Sequence, residues 1–159
     1  MTTESRATPV RKSVTVRATP AQAFAIFTDD FDSWWPRSHH IGRSPMKKAF
    51  VEGRGGGRCY TLQEDGTECD WGTVLVWEPP RRLVLAWQIG ANWQYEPDLA
   101  KSSEVEVMFA ALDDGRTRVD LEHRFLERMG PAGDAMRVAV DSPNGWPGTL
   151  ALYAARVAR

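Results

Sequence analysis

The sequence predicts an α+β domain, one antiparallel sheet of seven strands with helices packed on it, in the order β-α-α-β-β-β-β-β-β-α. Three observations carry this. Residues 71–87, WGTVLVWEPPRRLVLAW, read as two strands around Glu78-Pro79-Pro80-Arg81-Arg82 and put three of the seven tryptophans on one hairpin. Ser103 to Leu112 and Thr117 to Leu126 alternate as a second hairpin. Trp146, Leu150, Tyr153 and Val157 form one stripe of a final helix running to about Ala158, as a helix lying across a sheet requires.

The remaining elements follow in chain order. Val10 to Arg17 alternates as a first strand. Thr19-Pro20-Ala21-Gln22 then supplies a cap, a proline at the first helical position and a capping-box glutamine, so a helix starts there and buries Phe24, Ile26 and Phe27. Asp29-Asp30 ends it, and Phe31 to Pro36 reads as a second short helical turn. Lys47 to Gly53 and Arg58 to Gln63 are strands joined by a glycine-rich link, followed by Cys69 to Trp77 and Leu83 to Ile89. Gly55-Gly56-Gly57 joins strands, opens no helix and is followed by no Gly-Lys-Ser/Thr, which argues against a phosphate loop. Ala132 to Val140 is a short helix, interrupted by Asp141-Ser142-Pro143-Asn144-Gly145.

Side-chain pattern sets the registers. In the 71–87 hairpin, pairing Trp77 with Leu83 brings Leu75 to Leu85 and Thr73 to Trp87, so Trp71, Thr73, Leu75, Trp77, Leu83, Leu85 and Trp87 share a face. A two-residue Asp65-Gly66 turn pairs residue 62 with 69, residue 59 with 72, and sets Tyr60 opposite Trp71 and Arg58 opposite Thr73. In the last hairpin a three-residue loop, Asp113-Asp114-Gly115 with Gly115 left-handed, pairs Phe109 with Val119, Val107 with Leu121 and Val105 with His123, turning His123 inward.

Composition bounds the function. A 159-residue chain with 42% hydrophobic and 26% charged residues is one globular domain. Net charge is −1 with scattered Lys and Arg, so the footprint of a nucleic-acid binder is missing. No apolar run reaches the length of a membrane span, and Met1 to Thr8 is polar, without a signal-peptide core. The expectation is a cytoplasmic protein with a flexible segment 1–8 and one domain over 9–159. Cys59 and Cys69 are offset across their hairpin and are expected to be reduced, and no metal or cofactor motif is found. Adjacent His39 and His40 cannot easily both ligate one ion.

Trp34-Trp35-Pro36 after the first helix, Gly72-x-Val74 leading into Glu78-Pro79-Pro80-Arg81-Arg82-Leu83, Trp87, Leu121-Glu122-His123 and Gly145-Trp146 together resemble the activator-of-heat-shock-protein-90-ATPase homologues. The resemblance covers Val10 to Val157. It implies the helix-grip fold of the START and birch-allergen-like superfamily: a curved sheet gripping a long C-terminal helix, with a cavity between them that often holds a hydrophobic ligand. It implies no single activity, since relatives include carriers, polyketide cyclases and stress proteins.

The aromatic face is either plain core or a pocket lining. The first functional reading is a stand-alone domain binding a small, mostly hydrophobic molecule, with Trp35, Arg58, Tyr60, Trp71, Trp77, Trp87, Trp93, His123, Trp146 and Leu150 around it and Gly90 to Ser102 as a flap or lid. The second is a cyclase- or hydratase-like enzyme in which His123, Tyr60 or Arg58 moves protons or polarises a carbonyl; no nucleophile or carboxylate beside His123 assembles a catalytic dyad. The third is a stress-related interaction module with a chaperone partner. Either a monomer or a homodimer is compatible with the sequence.

Overall fold

A computed structural model describes residues 8–90 and 92–159. The expected flexible segment 1–8 lies, but for its last residue, outside them. Seven strands, β1 (Val10–Val16), β2 (Met46–Val51), β3 (Arg58–Gln63), β4 (Glu68–Glu78), β5 (Arg82–Trp87), β6 (Ser103–Ala111) and β7 (Thr117–Arg124), form one antiparallel sheet in the order β1-β7-β6-β5-β4-β3-β2. Helices α1 (Pro20–Thr28) and α2 (Phe31–Trp34) fill the first crossover, and α3 (Gly133–Asp141) and α4 (Trp146–Val157) follow the sheet. The α+β helix-grip architecture is therefore present, and α3 is the short helix expected over Ala132 to Val140, which the ten-element order leaves out.

Local sequence explains the helix starts. Thr19 accepts from the Gln22 backbone and Gln22 returns a bond to the Thr19 N–H, closing the capping box ahead of Pro20. Phe24 and Phe27 are buried beneath it. Asp32 ties α2 to the sheet by accepting from the Ala49 N–H at 2.9 Å and from Arg37 at 2.6 Å. Burial pushes the Asp32 carboxyl upward, but these donors outweigh it and hold it below the usual range. Tyr153 on α4 reaches back to the Ala23 carbonyl at 2.7 Å, locking helix to helix.

The last hairpin has the predicted register. Phe109 faces Val119, Val107 faces Leu121, Val105 faces His123, and Gly115 at φ 82° closes the three-residue loop. The first Asp-Gly turn differs. Gln63 N–H bonds to Thr67 O, making Glu64-Asp65-Gly66 another three-residue loop with Gly66 at φ 90°. Leu62 thus pairs with Glu68, and Tyr60 with Asp70 instead of Trp71. A bulge at Trp71 then restores the expected Cys59–Gly72 and Arg58–Thr73 pairs.

A second bulge corrects the 71–87 hairpin. Trp77 opposes Leu83 as expected, but Leu75 is the extra residue, so Val74 meets Leu85, Thr73 meets Ala86 and Gly72 meets Trp87. Leu75 is pushed outward and Val74 takes the core position at 1% exposure. Thr73 joins the outer face, where its hydroxyl bonds Gln88.

The outer face is a ladder of charges. Arg124 bonds Glu104 and Glu106, Arg82 bonds Glu106, Arg128 bonds Glu104 and Arg11 bonds Glu122. Beneath it Val84 and Ala86 are buried although they lie outside the main core.

Candidate functional site

An aromatic layer lies where the inner face of the sheet meets α2 and the start of α4. Trp35 stacks on Phe31 at 4.7 Å and lies parallel to Trp71 at 5.5 Å, with 2° between planes. Trp71 meets Trp87 edge-on at 5.8 Å, and Trp87 meets Trp146 at 5.8 Å and His123 at 5.1 Å. Burial of large apolar side chains is worth about 1.5 to 3 kcal/mol each, so this layer holds the two halves of the molecule together.

One side of the layer opens on a cavity of about 400 Å³. Its walls are Trp35 and Trp71 from the layer, Ile89 from the end of β5, Ser38 to Ile41 from the loop after α2, Trp93, and the α3–α4 connection at Ala139, Val140, Ser142, Asn144 and Gly145. Among the described residues, no Lys, Arg, Asp or Glu belongs to that lining. Pockets that hold drug-sized molecules have about this volume and this mostly apolar character.

Of the ten residues expected around a ligand, Trp35, Trp71 and Trp93 form this wall. Trp87, His123, Trp146 and Leu150 are packed deeper and close the layer from behind. Three expectations are corrected. Arg58 and Tyr60 lie on the outer face, because Cys59, Thr61 and Gln63 are the buried set of β3 and alternation turns their neighbours outward. There Arg58 covers the Tyr60 ring at 4.0 Å and bonds Asp70 and Glu68. Trp77 packs edge-on against Phe24 at 5.0 Å, beside α1 and apart from the cavity.

Sequence reasoning missed Ile89, the α3–α4 connection and residues 38–41 of the wall. His39 is half-buried, packs on Trp35 at 5.7 Å, and its carbonyl accepts the Trp35 indole N–H at 2.9 Å. Burial pushes its imidazole pKa down, against a hydrogen bond with the Asn144 backbone. His40 is positioned by the fully buried Gln63. That amide takes a hydroxyl bond from Thr61 on its oxygen, and its nitrogen donates to Ser44 O at 3.0 Å and faces His40 Nδ1 at 3.3 Å. An amide N–H only donates, so His40 Nδ1 accepts and Nε2 carries the proton. The signal available was the adjacent His39-His40 pair, considered above only as metal ligands, and nothing local shows Gln63 drawing it in.

Trp93 stands at the mouth, 49% exposed, in a turn closed by Gly90 N–H to Gln94 O and by pairing of Ile89 with Tyr95. Its φ of 61° is unusual for a bulky residue and marks a position held by its surroundings.

His123 is fully buried between Ser103, at 2.7 Å from Nε2, and Trp146, whose indole N–H donates to Nδ1 at 3.1 Å. An indole nitrogen can only donate, which fixes His123 as the Nε2–H tautomer. Its Nε2–H therefore donates to Ser103 Oγ, the wrong arrangement for drawing a proton from that serine. Burial carries the imidazole pKa down to about 3, so the ring is neutral.

A helix-grip domain with an aromatic-walled cavity is the class that this fold and site define. The chain belongs to the activator of Hsp90 ATPase homolog 1-like protein family, whose model matches residues 17–153. Among solved structures it is similar to the anthrahydroquino-gamma-pyrone synthase Txn09, in complex with a ligand designated SUM, at 40% identity over 96% of this chain and 97% of that one, with a TM-score of 0.66. It is similar to CalC, a self-sacrificing resistance protein of Micromonospora echinospora, at 31% identity over 94% and 93% of the two chains, also with a TM-score of 0.66. A protein of Nitrosomonas europaea shares the fold at 14% identity over 94% of each chain, with a TM-score of 0.65. No curated protein matches the sequence.

Proposed function

We propose that this protein binds a flat, mostly hydrophobic aromatic molecule in the cavity between Trp35, Trp71, Trp93 and the α3–α4 connection. The observation that carries the reading is the cavity: about 400 Å³, walled by three indoles, Ile89 and Val140, with serine, histidine and asparagine as the polar side chains beside the indole N–H groups among the described residues. Parallel Trp35 and Trp71 offer stacking edges for fused rings, and Trp93 supplies a third indole at the entrance. Likeness to an anthrahydroquino-gamma-pyrone synthase supports an aromatic ligand of that general kind.

A second reading is favoured by the 40% identity to a synthase over nearly the whole chain: the cavity holds a reactive precursor in the conformation that closes a ring. In that case catalysis comes from shape and hydrogen-bond donation, because His123 is neutral and its proton faces Ser103. The interaction-module reading has less support, since the convex face is a ladder of paired charges.

Native mass spectrometry of freshly purified protein, with denaturation to release and identify any small molecule, tests the binding reading. An aromatic compound of defined mass is expected. The reading fails if no such species is carried and a panel of aromatic polyketides leaves the melting temperature unchanged.

A further inference from the structure

Among the described residues, three buried side-chain nitrogens find no hydrogen-bond partner: Trp71 Nε1, Trp87 Nε1 and Arg124 Nε. Arg124 belongs to the charged ladder on the outer face. The other two are neighbours in the aromatic layer, and Trp71 is also cavity wall. Their isolation is specific, because Trp34, Trp35 and Trp146 beside them donate to Ile26 O, His39 O and His123 Nδ1. Buried donors are rarely left unpaired in folded proteins, and those that are call for an occupant.

A third donor stands next to them. Since His123 gives its Nε2 proton to Ser103 Oγ, the Ser103 hydroxyl hydrogen must point elsewhere, and no acceptor for it is found among the described residues. Ser103 is fully buried and sits directly opposite Trp87 across β5 and β6, while Trp87 sits opposite Gly72, the neighbour of Trp71, across β4 and β5. Trp71 thus stands in the cavity wall with Trp87 against its edge, and Ser103 is the strand neighbour of Trp87 behind that wall.

We propose that Trp71, Trp87 and Ser103 form a donor subsite that receives an oxygen of the ligand, the ring carbonyl of a quinone or pyrone. The proposal rests on the cavity reading above and deepens it, by making oxygen at the leading edge of the ring system the feature that is recognised. Trp71 lines the cavity and Trp87 and Ser103 do not, so in this proposal the ligand oxygen reaches them when the Trp71 ring swings off Trp35. Donors with no competing acceptor stabilise negative charge on a carbonyl oxygen, so the subsite selects oxygenated rings over hydrocarbons of the same shape.

Anthraquinone-2-carboxylate and anthracene-2-carboxylate are a matched pair of probes, alike in outline and charge and different in the ring carbonyls. The wild-type protein is expected to bind the quinone about tenfold more tightly, the ratio one or two hydrogen bonds to a buried donor provide. Ser103→Ala and Trp87→Phe should bring that ratio toward one; the first is small enough to keep the fold if the second does not. In indole 1H–15N spectra, the Trp71 and Trp87 Nε1–H signals should move downfield with the quinone and not with the hydrocarbon. Equal affinity for the two probes, or unmoved Trp71 and Trp87 signals in the quinone complex, overturns the donor subsite and leaves the cavity reading standing. Binding of neither probe overturns both.

Discussion

His123 shows how single contacts decide chemistry. Trp146 fixes its tautomer, Ser103 takes its proton, and burial keeps it neutral. The folded-state pKa of about 3 lies below the unfolded value of 6.5, so between these values the unfolded chain binds the extra proton. Stability therefore falls as pH drops below 6.5, with a slope approaching about 1.4 kcal/mol per pH unit for one proton. His39, also shifted down by burial, adds to the same loss. His123→Asn keeps an acceptor for Trp146 and a donor for Ser103. Urea melts at pH 7 and pH 5 should show it losing less stability on acidification than wild type, by about one proton's worth; an unchanged difference would contradict the assignment. Gly72 is a second residue-scale test. A Cβ there would run into the Ala86 carbonyl of the paired strand, which is rigid backbone. Gly72→Ala should cost about 2 kcal/mol or more in denaturant melts.

At the scale of elements, β4 is where sequence and structure part. Strict alternation makes Leu75 a core residue and Val74 a surface one, and the bulge reverses them. Val74→Ala should accordingly cost about 1 to 3 kcal/mol, and Leu75→Thr no more than about 0.5 kcal/mol, in equilibrium urea unfolding. The opposite ranking would return Leu75 to the core. Bulges answer to the curvature that the whole sheet needs in order to wrap α4, which no window of residues encodes. The two Asp-Gly turns make the same point. At Asp113-Asp114-Gly115 the apolar residues on both strands select the three-residue loop, whereas β3 and the start of β4 are too polar to distinguish it from the two-residue turn. The longer loop moves Tyr60 from Trp71 to Asp70, and the Leu75 bulge puts Thr73, with Arg58 opposite it, on the outer face.

For the whole molecule, the fold was legible from three patterns: the aromatic hairpin, the last hairpin and the helix stripe of Trp146, Leu150 and Tyr153, all of them buried. The cavity was only half legible. Its indole walls could be named because large aromatics announce themselves, but the other wall comes from 38–41 and 139–145, small and polar segments that gain a role only when Gln63 and the α3–α4 turn bring them together. Trp77 shows the converse, an aromatic on the right face at the wrong end of the sheet. The central claim is that this cavity is a binding site and not a packing gap, and a fluorescence titration of the tryptophans with anthraquinone-2-carboxylate tests it most directly when run beside Val140→Trp, which fills the space from α3. The account predicts saturable one-to-one quenching in the wild type and at least tenfold weaker binding in the filled variant. Equal binding by both proteins, or none by the wild type, would contradict it.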